Sequence, residues 1–151
     1  FKSRARAVQS ALRGDDVAYV LVTSPSPMAI REVLFFAERL DQLGMGSDAF
    51  VVNRVHQHPG ECPSVPEIRL AVEARSLELD DDAPERIHQS VSDEIRQAEL
   101  DSRHLHVLQG VLGSRFGRPI RVDIPAFAHD VHDLTSLNDV ARVLVPEDCE
   151  V

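Results

Sequence analysis

Lysine is almost missing from this chain: Lys2 stands alone against fifteen arginines. A phosphate-cradling loop ends in Gly-Lys-Ser/Thr and Schiff-base chemistry needs an amine, so both are excluded from what these 151 residues carry. Tryptophan is absent and aromatics make up 5% of the chain, too few for a platform on which single strands stack. Positive charge is short as well. A net charge of −9 argues against nucleic acid as the main partner, because binding phosphate backbones needs a cationic face. Cys62 and Cys149 are far apart and fit no metal-site spacing. They allow one disulfide but no secreted disulfide scaffold, and a reducing cytoplasm is the expected setting. No apolar run approaches the length of a membrane span.

What is present is the composition of an ordinary globular domain, 43% hydrophobic and 27% charged, in a chain long enough for one real core. It opens on Phe1, and KSRARAVQSALRG reads as the end of a helix stopped at Gly14. The same stretch has features of a transit peptide, being Arg- and Ser-bearing with no acid before Asp15. The preferred expectation is a piece of a longer protein.

Residues 17 to 55 carry the clearest pattern. Val17 to Val22 form a nearly continuous apolar run, the mark of a strand buried on both faces. Ser26-Pro27 supplies an N-cap and a first-turn proline. Ile30, Val33, Leu34, Ala37 and Leu40 recur at helical spacing, and Gly44 and Gly46 close the helix. Ala49 to Val52 make a second buried strand, so the unit reads as a right-handed βαβ crossover. HQHPGECPS is then a loop, Pro66 to Leu77 a short helix, and ELDDD a solvated break. Pro84 to about Gly113 follows as a long helix with Ile87, Val91, Ile95, Ala98, Leu105, Leu108 and Leu112 on a common stripe. The glycines at 110, 113 and 117 follow a helix rather than a strand, so they read as fraying and a stop, not a nucleotide loop. After Pro119, Ile120, Val122 and Ile124 alternate with Arg121 and Asp123, the period of a half-exposed or edge strand. Pro125-Ala126-Phe127 ends it, and Leu134 to Leu144 make an amphipathic closing helix before the acidic tail PEDCEV. The expected fold is α/β: a partial parallel sheet of about three strands with flanking helices, and a mainly helical insert over 57–118.

In such sheets ligands sit outside the carboxyl ends of the strands, which directs attention to Thr23-Ser24, Asn53-Arg54 and Pro125. Asn53 offers a donor and an acceptor side by side, the pattern that matches an adenine edge. The competing reading is a turn residue bonding its own backbone. For Phe127 the alternative is a core aromatic under the last helix, and for Arg54 a solvated side chain. Ser24, Ser26 and Thr23 surround a helix start, where capping explains them as well as anion binding does.

The segments YVLVTSPSPMAIREVLFFAERL, FVVNRV and IPAFAHDVHDL, in this order, resemble the carboxyl-terminal part of the arsenical-pump (ArsA) and tail-anchored-protein targeting ATPase family. The resemblance spans roughly Val17 to Leu144 and is poor over 57–90. It implies a fragment of a SIMIBI-like P-loop NTPase fold whose phosphate loop lies upstream of these residues. It also implies ATP and Mg as cofactors of the full-length parent, an adenine-nucleotide partner, a homodimer and a client or membrane-protein partner. Asn53 matches the family's adenine-contacting asparagine, and Pro125, Ala126 and Phe127 match the loop that packs on the base; Arg54 is a further candidate toward phosphate or a neighbouring subunit. On this reading the chain supplies the adenine side and is inactive alone. The targeting factors carry Cys-x-x-Cys after the asparagine strand, where this chain has HQHPGEC. His56, His58 and Cys62 have ligand chemistry but no familiar spacing, so no metal site is assigned; His129 and His132 read as helix-start residues beside a capping Asp130 or Asp133. The alternative function is a non-catalytic protein-interaction module. A dinucleotide-binding Rossmann domain is disfavoured, since no Gly-x-Gly-x-x-Gly follows the first strand. A truncated parallel sheet also leaves an edge, expected either to self-associate or to be covered by the long helix.

Overall fold

The computed structural model describes residues 4, 8, 10–14 and 16–145. Most of the expected amino-terminal helix, with Lys2, and the acidic tail with Cys149 lie outside the described residues. The elements are β1 (Val20–Thr23), α1 (Pro27–Gln42), β2 (Ala49–Val55), α2 (Val65–Ala74), α3 (Ala83–Arg115), β3 (Ile120–Pro125) and α4 (Leu134–Leu144). They form two compact units, Phe1–Val55 with His104–Val151, and His56–Arg103. No helix among the described residues is long and apolar enough to cross a membrane.

The first unit holds a parallel sheet in the order β1-β2-β3. Its register aligns Leu21 with Phe50 and Arg121, and Thr23 with Val52 and Asp123. Leu21, Phe50 and Val52 form one core with Ile30, Val33, Ala37 and Leu40 of α1 and Leu105, Leu108 and Leu112 of α3. Helix α1 is well delimited by its sequence. Ser26 accepts a hydrogen bond from the Ala29 amide at 3.2 Å, and Pro27 occupies the first turn. At the other end Gly44 has φ 72°, and the Met45 and Gly44 amides donate back to the Leu40 and Asp41 carbonyls, both at 2.9 Å. That pair of bonds is the Schellman stop, which needs a left-handed residue at Gly44.

Two sequence expectations are corrected here, and one is refined. The apolar run from Val17 gives a four-residue strand beginning at Val20, and it is not buried on both faces: Val20 and Val22 are 53% and 65% exposed. Helices α1 and α3 pack on the Leu21 face, whereas Val20 and Val22 on the opposite face keep their solvent. β3 is an edge strand, in line with its period-two pattern, but the side its charges take was not foreseen. Register puts the charged Arg121 and Asp123 on the helix-covered face, while Ile120 on the other is 69% exposed. Arg121 is accommodated because its guanidinium donates to the Leu105 carbonyl (3.2 Å), Gln109 (3.0 Å) and Asp123 (2.9 Å). Finally, α3 runs through Gly110 and Gly113 to Arg115. Glycine weakens a helix interior by about 1 kcal/mol, less than the burial of Leu108 and Leu112 supplies on either side. The turn comes at Gly117, φ 69°.

In the second unit α2 begins with a capping arrangement: the Glu67 carboxylate accepts the Ser64 hydroxyl at 2.6 Å and the Ser64 amide at 2.7 Å. These bonds, the hydroxyl's first, hold the Glu67 carboxyl below its ordinary range. Arg69 joins α2 to Glu85 of α3 at 2.6 Å, and Asp80 in the acidic break pairs with Arg86 at 2.8 Å. The Arg86 bond holds the Asp80 carboxyl low.

Candidate functional site

The carboxyl ends of the three parallel strands make one rim, and the sequence candidates fall on it. Thr23 ends β1, Asn53 and Arg54 precede Val55 at the end of β2, and Pro125 ends β3. Val55 pairs with Pro125, and the Ala126 amide donates to the Val55 carbonyl at 2.9 Å, so Asn53, Arg54, Pro125 and Ala126 share this end of the sheet. Phe127 follows directly and is 37% exposed.

Asn53 does not follow the strand, as the sequence reading has it, but sits within it. The ladder pairs Val52 with Asp123 and next Val55 with Pro125, so Asn53 and Arg54 together face the single residue Ile124. That is a β-bulge, two residues against one, and it re-aims side chains that a regular strand would send to opposite faces. Arg54 adopts φ 63°, the left-handed region that a non-glycine residue rarely occupies. Both Asn53 and Arg54 are exposed, which leaves their side chains open to a ligand.

The structure adds Asp123 to this rim. One of its oxygens is held by Arg121 at 2.9 Å, while Oδ1 is buried without a hydrogen-bond partner. Buried polar atoms are nearly always paired, so an orphan two residues from Pro125 marks a polar demand at this end of β3. The serine hydroxyl of Ser26 is spent on capping α1. Asp133 caps α4, accepting the Ser136 amide at 2.7 Å, and that bond, with the Ser136 hydroxyl second, holds its carboxyl low. His132 is tied to the Asp130 carbonyl through Nδ1 at 2.7 Å.

The helical unit gathers a second set of polar residues. The Cys62 sulfur lies 3.4 Å from Nδ1 of His88, a distance that invites a thiol–imidazole reading. The same Nδ1 is 2.8 Å from the Pro63 carbonyl. A carbonyl only accepts, so Nδ1 carries the hydrogen and has no lone pair with which to take the thiol proton. The pair is a packing contact, not an activated nucleophile. No group of three or more His, Cys, Asp or Glu arranged to hold a metal occurs among the described residues.

Sequence reasoning missed Asp101, which is 2% exposed. The signal was there: Asp101 stands on the α3 stripe of Ala98, Leu105, Leu108 and Leu112, where an apolar residue belongs. Arg121 and Asp123 were missed for the opposite reason, since period-two alternation assigns charges to solvent. No protein-family model and no curated protein matches this chain.

Proposed function

We propose that this chain supplies the adenine-binding side of an ArsA-like ATPase, with phosphate-gripping and hydrolytic groups carried by sequence outside these 151 residues. The observation that carries the reading is the bulge, which holds an exposed asparagine amide out of its ladder beside the Pro125-Ala126-Phe127 corner. A carboxamide can donate to one adenine ring nitrogen and accept from the exocyclic amine. A proline ring and an aromatic side chain give the base apolar contact at low cost in entropy. These residues suit a purine base; the chain offers no carboxylate cluster for Mg among its described residues, and the ion would be held with the phosphates elsewhere in the parent. Magnesium-assisted in-line hydrolysis belongs to that parent.

Titration of the full-length protein with ATP and GTP tests the assignment. ATP is expected to bind more tightly, and Asn53→Ala to weaken ATP by about tenfold while leaving GTP nearly unchanged. Equal ATP affinity with and without Asn53→Ala rejects the role. Purified residues 1–151 are expected to turn over no ATP; turnover that survives controls for contamination rejects the division of labour.

The exposed Val20 and Val22 favour a second reading, a non-catalytic module that binds protein through its sheet. A parent sequence without an intact phosphate loop, together with no ATP binding, selects it.

A further inference from the structure

The helical unit contains an open surface pocket of about 510 Å³ lined by His56, His58, Ala98, Glu99, Ser102 and Arg103. Its histidines are fixed in complementary states. Asp101 lies beneath, buried, and its Oδ2 accepts both the His56 amide at 3.0 Å and His56 Nδ1 at 2.8 Å. The second oxygen accepts Gln97 Nε2 at 3.1 Å, so the carboxylate is satisfied on both sides. A carboxylate accepts only, which puts a hydrogen on His56 Nδ1 and, in the neutral ring, the lone pair on Nε2. At His58 the order is inverted: Nδ1 accepts the Gly60 amide at 3.2 Å, so the hydrogen sits on Nε2. With both rings neutral, one therefore presents a lone pair and the other an N–H. Arg103, whose guanidinium has no ion pair to a described residue, adds a fork of donors, and the Ser102 hydroxyl serves either way. Glu99, one helical turn before Arg103, adds a second acceptor.

We propose that this pocket binds the phosphate group of a small monophosphate. A singly protonated phosphate is the anion whose hydrogen-bond pattern fits: its unprotonated oxygens take the N–H groups of His58 and Arg103, and its remaining O–H is donated to His56 Nε2 or Glu99. A fully ionised oxyanion has no proton for those acceptors and leaves two lone-pair groups facing its negative charge. The volume leaves room beyond the phosphate for a small esterified group. All lining residues fall within His56–Arg103, so the proposal does not rest on the adenine reading.

The test is titration of the complete protein with inorganic phosphate, glycerol 1-phosphate and sulfate at fixed ionic strength, followed through the histidine ring resonances. Saturable shifts at His56 and His58 are expected, with phosphate binding at least about tenfold more tightly than sulfate. Tighter binding of the ester assigns an organic ligand; tighter binding of inorganic phosphate assigns the free anion. Arg103→Gln, on an exposed helix position, should weaken either by about tenfold. Equal affinity for phosphate and sulfate, no saturable shift, or an unchanged affinity in Arg103→Gln overturns the proposal. The phosphate–sulfate comparison needs no variant.

Discussion

The two faces of the three-stranded sheet come from the same three strands and share nothing else. On one face Leu21, Phe50 and Val52 are sealed by α1 and the second half of α3, tightly enough that Phe50, Val52, Leu108 and Leu112 are fully buried. On the other, Val20, Val22 and Ile120 stand more than half exposed, and only Val51 and Ile124 are closed off. Parallel sheets are ordinarily covered on both sides. A strand's composition reports how much burial it is suited to, whereas actual burial depends on which layers are present. The comparison also explains how β3 tolerates charge inward: its covered face meets a helix that offers a carbonyl and an amide to Arg121.

The largest contrast should come from truncating the sealed face. Leu108→Ala is expected to lower stability by about 3 kcal/mol, seen as an earlier urea midpoint with an unchanged slope. Arg121→Met, on the same face, removes three hydrogen bonds and strips the one partner from Asp123. It should cost about 1–3 kcal/mol, and the same urea titration measures it. On the bare face Val22→Thr keeps the β-branched shape and should move stability by less than about 0.5 kcal/mol; a loss as large as that of Leu108→Ala would mean that the face is covered in solution. The smallest effect is local. The Asp133 carboxyl is held below its ordinary value of 3.8 in the folded chain, so its capping contribution is complete above that value. It should fade as pH falls through the lower, folded-state titration. Protection of the first-turn amides of α4, relative to their intrinsic exchange rate, should therefore fall only in acid, and Asp133→Ala should remove that pH dependence.

Most of the architecture was legible because α1 and β2 obey local rules: Ser26-Pro27 starts the helix, Gly44 ends it, and AFVV has no alternative to burial. The exposure of Val20 and Val22 was not legible, because it depends on a covering layer that local pattern cannot reveal. The rim was found from the rule that parallel strands present ligands at their carboxyl ends. The bulge at Asn53-Arg54 was not, since it arises from how β2 pairs with β3 and leaves no glycine as a marker. Asp101 was legible in principle, as a carboxylate on an apolar stripe, but the partner that explains it, His56, lies forty-five positions away.

The arginine at position 54 carries an energetic implication. Holding a side-chain-bearing residue in a left-handed backbone costs about 1–2 kcal/mol, a penalty glycine escapes. Arg54→Gly is therefore the one change at the rim that should make the chain more robust to denaturant.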